Sequence, residues 1–363
     1  MKPGVIFGGP SPEHDVSVLT GLQAARAIGG AVTTVYWDKA GGFWLVDVTS
    51  EGADFLEGPP RGARPLRLVV GPGGGFVGGK SGVLTKEKPL EIDALVNCCH
   101  GGPGEDGTLQ GALDLAGLPY TGPTVSGSVV GMDKLVFAAV VGAAGLAALP
   151  RVLIKPGASA PAFPGPYIVK PRFGGSSIGI EVAEDWTTAL SLLAASVHYR
   201  LGAVVEPYRP AAADLEIGVR TYPTLELSLI ARPIRSSDTN EILGYGDKYL
   251  GGDGMVSAQR ELPAQLEPAI EKAVIESART VAEVCGVRGL ARVDFLLDGD
   301  DLYVNEINTI PGSLTKYLWD TPFSRLLADM LQEATARPSC RYDATGADGL
   351  ALRTAATIAS KLG

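Results

Sequence analysis

The chain has 363 residues, 45% of them hydrophobic and 20% charged, with a formal net charge of −9. That length exceeds one ordinary domain and predicts two or three packed units with ample material for a core. The acidic balance argues against a nucleic-acid or anionic-membrane surface, so a phosphate ligand must be met by local positive groups.

The opening MKPGVIFGG has too short an apolar run for a signal peptide. No segment reaches the ~18 apolar residues of a membrane helix. The nearest, residues 129–149, carries Asp133, Lys134 and several glycines. Cys98, Cys99, Cys285 and Cys340 show no metal-ligand spacing, so reduced thiols in a cytoplasmic protein are expected. With only three histidines a His-rich metal centre is excluded.

In chain order, residues 4–9 (GVIFGG) read as a buried strand ending in glycines. Residues 15–28 show helical spacing, and 31–37 read as another strand. This strand–loop–helix–strand order predicts a parallel, Rossmann-like unit. Residues 50–90, rich in Gly and Pro, are expected to be excursions around that sheet. Residues 92–98 read as a further buried strand running into HGGPGEDGTLQGALDLAG, a glycine loop that opens a helix. The first unit is expected to end near residue 122, at TGPT. A helix is predicted around 130–144, strands at 167–170 and 203–206, and a helix at 185–195 between them. Residues 215–220 and 225–235 are strand-like, and 265–285 form a helix with apolar faces. An acidic hairpin follows, then a helix near 323–336; residues 350–362 fit a terminal helix. The boundaries drawn are 1–122, 123–211, 212–336 and a C-terminal extension, 337–363.

The most informative stretch is ARVDFLLDGDDLYVNEINTIPG, residues 291–312. Residues two apart on a strand share a face, so Glu306 and Asn308 project together, and a hairpin brings Asp294 alongside. Two carboxylates and a carboxamide oxygen are hard ligands suited to Mg²⁺ held between protein and nucleotide phosphates. Arg292 shares the face of Asp294 and places a fixed positive charge there. The segment KPRFGGSSIG, after the strand YIVK, lets backbone N–H groups approach phosphate oxygens, with Lys170 adding charge. It is not a Walker loop, because no G-x-x-x-x-G-K-[ST] occurs. Glu206, ending a strand, and its neighbouring backbone are candidates for an adenine amino group, and Glu216 for ribose hydroxyls.

VIFGGPSPEHDVSVLTG, HGGPGEDGTLQG, GMDKL, VKPRFGGSSIG, GDKYL, ARVDF and NEINTIPG occur in the order expected of D-alanine–D-alanine ligases. Across residues 4–315 the chain resembles that family, within the ATP-grasp superfamily. The resemblance implies an α/β fold, α+β in part, with an N-terminal Rossmann-like domain and ATP between the central and C-terminal units. Lys134, Lys170, Glu206 and Glu216 take nucleotide-binding positions, and Ser176 and Ser177 lie on a mobile glycine loop. Asp294, Glu306 and Asn308 match the holders of two Mg²⁺ ions, with Mn²⁺ as a substitute. Arg292 matches the arginine that stabilises the transferring phosphoryl group and the tetrahedral intermediate, whose oxyanion also meets the Gly312 N–H. Lys248 lies on a closing loop that reaches the γ-phosphate. Glu13, Ser176 and Tyr249 match a hydrogen-bonded trio beside the amino-acid pockets, with Glu13 facing the first substrate's ammonium and His100 nearby.

The implied reaction joins two D-alanines for peptidoglycan through an acyl phosphate, in a cytoplasmic homodimer that binds neither nucleic acid nor membrane. The absence of a Ser-His-Asp or Cys-His nucleophile fits that chemistry, which needs positioning and charge neutralisation instead. The match weakens after NTIPG, where a longer Phe-Thr-rich loop is usual. Here Ser313 and Leu314 follow Gly312 directly, then Lys316. Ser313 and Leu314 are the expected anchors of the acceptor carboxylate. Residues 207–214 also carry a small insertion. These departures leave D-lactate, D-Ser or another amine as alternative acceptors, with a non-catalytic ATP-binding protein as the reading from another class. Tyr249 leans toward peptide rather than ester formation.

Overall fold

The computed structural model describes residues 1–78, 89–234, 259–337, 344–354 and 358. Three sheets are built in sequence order. The first has strand order β5-β4-β3-β2-β1-β6, formed by β1 (Pro3–Gly8), β2 (Thr33–Trp37), β3 (Phe43–Val46), β4 (Arg64–Val69), β5 (Gly75–Gly78) and β6 (Ala94–Asn97). β1 pairs in parallel with β2 and β6, and these central strands are almost wholly buried, as continuous apolar runs require. Helix α1 (His14–Ile28) crosses between β1 and β2. It packs so closely that a Cβ on Gly21 would sit 2.3 Å from Phe7, which explains a glycine inside this helix. Ser17 of α1 receives the Gly8 N–H at 2.7 Å and donates to the Cys98 carbonyl at 2.6 Å, tying β1 to the end of β6.

The expectation that residues 50–90 only skirt this sheet is corrected. β3, β4 and β5 continue it as antiparallel strands. In β4 only Leu66 is buried, so the segment lacks the apolar run that marks a central strand, and its Pro and Gly sit at strand ends and turns.

The second sheet, order β7-β10-β8-β9, comprises β7 (Val152–Ile154), β8 (Tyr167–Pro171), β9 (Glu181–Ala183) and β10 (Ala203–Pro207), all antiparallel. The third runs β13-β12-β11-β14-β15, from β11 (Ala213–Arg220), β12 (Glu226–Pro233), β13 (Arg260–Glu261), β14 (Leu290–Asp298) and β15 (Asp301–Asn308). The other α-helices of the described residues are α2 (Gly102–Glu105), α3 (Thr108–Ala116), α4 (Val125–Met132), α5 (Lys134–Ala143), α6 (Trp186–Ala195), α7 (Pro268–Val284), α8 (Phe323–Ala336) and α9 (Leu350–Thr354). α5 and α7 cover the third sheet through Phe137, Val141, Val274, Ala278 and Val281. α8 returns to the first sheet, where Leu326, Leu327, Met330 and Leu331 join the core around Val5, Phe7 and Val96.

The single helix expected at 130–144 is two. Asp133 is extended (φ −82, ψ 103), and its carboxylate caps α5 by accepting from the Leu135 and Val136 N–H groups. An aspartate competes with the backbone in this way, so it starts a helix instead of continuing one. Arg172 adds two bonds to the same carboxylate, at 2.9 and 2.5 Å. Lys134 is thereby fixed as the first residue of α5. Among the described residues Cys98, Cys99 and Cys285 are free buried thiols, and no helix is long and apolar enough to cross a membrane. Of the expected helix at 350–362, residues 350–354 are described as helix; the remainder falls largely outside the described residues.

Candidate active site

The second and third sheets face a cleft lined by Lys134, Lys170, Glu206, Asp214, Glu216, Asp294 and Glu306, among others. The Lys170 ammonium lies 2.9 Å from Glu206, and Arg151 Nε lies 2.6 Å from the other Glu206 oxygen. Glu206 is wholly buried, yet its carboxyl is held down because Arg151 and Lys170 outweigh the cost of burial. That carboxylate is thus already a counter-ion, and Pro207, Tyr208 and Arg209, which follow it, also line the cleft. Arg151 also donates to the Lys134 carbonyl at 3.1 Å and to the Asn305 carbonyl, linking α5, β10 and β15. Lys134 donates to the Gly174 carbonyl at 2.6 Å and lies 3.6 Å from Glu306. Burial lowers its pKa, with Glu306 opposing.

The acidic hairpin forms as its pattern requires. β14 pairs with β15 so that Asp294 faces Glu306 and Arg292 faces Asn308, with a bulge after Asp294. All four side chains therefore share one face. Arg292 forms a two-pronged pair with Asp294, Nε to Oδ1 at 2.6 Å and Nη2 to Oδ2 at 2.7 Å. Asn308 Nδ2 donates to the same Oδ2 at 2.9 Å. Among the described residues no three acidic, His or Cys side chains are gathered as a ready cation cluster, because Asp294 is turned to Arg292. Burial pushes the Asp294 carboxyl up to about 6; Arg292 opposes this, while Glu216 and Glu306 add to it. Glu216 pairs with Asp294 across β11 and β14, is 4% exposed, and leaves Oε2 buried without a partner. Asp214, two residues earlier on the same face, is less buried and lines the same cleft.

A second, smaller pocket adjoins the first and is lined by Glu13, His100, Glu105, Ser176, Arg292, Asn308 and Gly312, among others. Ser176 donates to Glu13. A Cβ on Gly101 would come within 2.3 Å of the Glu13 carboxylate and one on Gly175 within 2.9 Å, so the two glycines make room for that acid. Ser176 and Ser177 take left-handed conformations (φ 51 and 59), folding the glycine loop over Glu13.

His100 is buried and holds one tautomer. The Ile310 carbonyl, 2.7 Å from Nδ1, can only accept, so Nδ1 carries the proton and Nε2 accepts from the Thr20 hydroxyl at 2.9 Å. Burial pushes its pKa down to about 4. Thr20 Oγ1 in turn receives the Ser313 N–H at 3.3 Å. Ser313, Leu314 and Thr315 are consecutive left-handed residues (φ 50, 47 and 53), the device by which the shortened segment turns directly after Gly312. The Leu314 N–H donates to the Pro311 carbonyl at 2.8 Å. Glu105, on the first sheet's side, accepts from the Ile310 N–H at 2.9 Å and from Thr309 at 3.1 Å. Burial, reinforced by Glu13, raises its carboxyl to about 7.

Models of the D-ala D-ala ligase N-terminus and C-terminus match residues 2–123 and 158–325. A D-alanine–D-alanine ligase of a Methylobacterium species is 34% identical over 339 residues, 87% of this chain and 86% of that protein. The chain belongs to the D-alanine–D-alanine ligase family. Solved structures agree on the fold. A D-alanine–D-alanine ligase of Helicobacter pylori superposes with a TM-score of 0.72 at 24% identity, covering 94% of this chain and 100% of that one. A D-Ala:D-Ser ligase of Enterococcus faecalis gives 0.72 at 22%, covering 92% and 99%. The chain has the ATP-grasp fold.

Within this D-alanine–D-alanine ligase family member, Lys134, Lys170, Ser177, Glu206, Glu216, Asp294 and Glu306 come together at the larger cleft. Glu13, His100, Ser176, Arg292, Asn308 and Gly312 line the smaller one. Ser313 and Leu314 are buried just behind Gly312. Lys248 and Tyr249 lie outside the described residues. Sequence reasoning passed over Arg151, Asp133, Glu105, Thr20 and Tyr317. The acid of HGGPGEDG was visible as part of a motif and Asp133 as an aspartate inside an apolar run; Arg151, Thr20 and Tyr317 carry no local signal.

Proposed function

We propose that this chain joins two D-alanines with ATP, forming an acyl phosphate of the first and releasing ADP and phosphate, to supply the dipeptide for peptidoglycan. The observation that carries the reading is the contact between the two cavities. The Lys134–Lys170–Glu306 cleft opens beside a pocket walled by Glu13, Ser176 and Arg292, so a γ-phosphate and a small amino acid can meet.

In this reading Lys134 and Lys170 hold ATP phosphates and Glu13 holds the first D-alanine's ammonium. The substrate carboxylate oxygen attacks the γ-phosphorus as the bond to ADP breaks, and Arg292 neutralises the charge spread over the transferring group. The second D-alanine's uncharged amine then attacks the acyl carbon. The oxyanion is met by Arg292 and the Gly312 N–H, and phosphate departs with the original carboxylate oxygen. With the Leu314 N–H engaged by Pro311, the Ser313 hydroxyl is the donor left for the acceptor carboxylate. Asp214 is the acid we assign to ribose, since Glu216 is drawn inward toward Arg292.

A divalent cation fits the residues present. Asp294 and Glu306 face each other across β14 and β15, both partly exposed, with buried Glu216 beside Asp294 and one Glu216 oxygen without a hydrogen-bond partner. Asp294, Glu306 and Asn308 would hold Mg²⁺, two ions in all, or Mn²⁺. When bound, the ions neutralise phosphate charge.

The three sheets support treating residues 1–122, 123–211 and 212–336 as three units followed by an extension. We extend the reading to a cytoplasmic homodimer, which sedimentation would test. The direct left-handed turn after Gly312 favours keeping D-Ser and D-lactate as rival acceptors. The test is ATP-dependent phosphate release with D-Ala alone and with each rival added. Release with D-Ala alone and a dipeptide product support the assignment, and release only with a rival acceptor moves it.

A further inference from the structure

Arg292 is a heavily committed side chain of the site. It is 5% exposed, and both prongs of its fork are taken by Asp294. Asp294 is also the carboxylate that the proposed function turns toward a cation. With Arg292 engaging each of its oxygens and Asn308 sharing one, three of its roughly four lone-pair sites are taken, so a cation competes with Arg292 for Asp294. Once Asp294 lets go, a buried guanidinium without a counter-charge would be left, which is strongly unfavourable.

Two further groups already touch Arg292. Nη1 donates to the Tyr317 hydroxyl at 3.1 Å, and Nε lies 3.7 Å from Glu216 Oε1. Tyr317 is held from its other side by the Arg260 guanidinium, 3.9 Å above its ring. It is delivered to this position by the left-handed turn at 313–315 that also sets Ser313. Glu216 faces Asp294 in register, and its second oxygen is buried with no partner. The chain therefore keeps a neutral anchor and a spare negative charge on the guanidinium, neither used by any step derived above.

We infer that Tyr317 and Glu216 form a second mount for Arg292, which holds the guanidinium in place when Asp294 turns to a divalent cation. This rests on the ligase reading above. Tyr317 and Glu216 act through Arg292 and are positioning residues. Tyr317, being neutral, does not compete for the cation, and Glu216 takes over the charge balance that Asp294 gives up.

Two measurements test this. The first is steady-state kinetics of Tyr317→Phe, which keeps the ring and removes the hydroxyl. The kcat falls by about ten- to a hundredfold, the size of a lost hydrogen bond to a charged group. KM for ATP and the melting temperature stay near wild type. Unchanged kcat overturns the inference, and so does a kcat loss accompanied by a raised ATP KM and a large drop in melting temperature.

The second is direct Mn²⁺ titration by electron paramagnetic resonance, with a non-hydrolysable ATP analogue present and no turnover required. Glu216→Gln weakens Mn²⁺ binding because Arg292 then retains Asp294. In an Arg292→Met background, where Asp294 is already released, Glu216→Gln changes Mn²⁺ binding little. Weakening in both backgrounds makes Glu216 a ligand itself and overturns the mount. If wild-type protein binds Mn²⁺ as described but releases no phosphate with D-Ala, the ligase reading fails while the titration still judges the mount.

Discussion

Thr20→Val is a demanding test of how the acceptor segment is held. Valine keeps the β-branched shape of Thr20 in α1 but removes the oxygen shared by His100 and Ser313. Thr20 is 1% exposed, His100 3% and Ser313 7%, so water does not readily replace the lost partner. Leaving a buried polar group unpaired costs about 1–3 kcal/mol. Two groups are orphaned, but the Ser313 contact at 3.3 Å is long and contributes at the low end, so the sum is roughly 2–4 kcal/mol. With Ser313 released, the left-handed turn loses its tie to α1, and the second-site KM for D-Ala rises about tenfold, equivalent to ~1.4 kcal/mol. Thr20→Ser retains the hydroxyl and stays close to wild type in both respects. The assays are thermal melting and saturation kinetics with the first site filled. A Thr20→Val protein with unchanged melting temperature and unchanged second-site KM would refute the claim that this chain of hydrogen bonds holds the acceptor segment.

Three more outcomes follow from the same geometry. His100 has a folded pKa of about 4, against ~6.5 in an unfolded chain, so the unfolded state takes up a proton that the folded state refuses. Stability is therefore lost as pH falls from about 6.5 through about 4, by up to roughly 3 kcal/mol, and denaturant titrations across that window should show the slope diminish in His100→Asn. Glu306→Gln should abolish turnover while circular dichroism and melting stay near wild type; near-normal activity at saturating Mg²⁺ would remove Glu306 from the cation site. Ser313→Ala should raise the second-site KM for D-Ala about tenfold, the worth of one donor to a carboxylate, with first-site binding little changed. If Lys316→Ala raises that KM instead, the acceptor carboxylate is anchored by the lysine.

Much of this arrangement was legible in the residues. The strand parity of Glu306 and Asn308 and the apolar spacing of residues 323–336 both reflect local geometry, and local geometry is what a sequence encodes most directly. The parts that escaped depend on partners far along the chain. Arg151 sits in an unremarked loop, yet its neighbours are Glu206 and Asn305. Thr20 reads as one polar residue of a helix, and its importance appears only when His100 and Ser313 arrive from elsewhere. Asp133 was within reach, since an aspartate inside an apolar helical run is a capping signal. β4 escaped because a half-buried antiparallel strand flanked by Pro and Gly lacks the continuous apolar signature used to find β1 and β6.

The central claim is that the first D-alanine is activated as an acyl phosphate between the two cavities. It is tested most directly by supplying D-alanine labelled with a heavy oxygen isotope in its carboxylate, together with ATP and Mg²⁺, and weighing the released phosphate. The account predicts one labelled oxygen in each phosphate, in step with formation of the dipeptide. Phosphate released without label would show that ATP is hydrolysed by water and would contradict it.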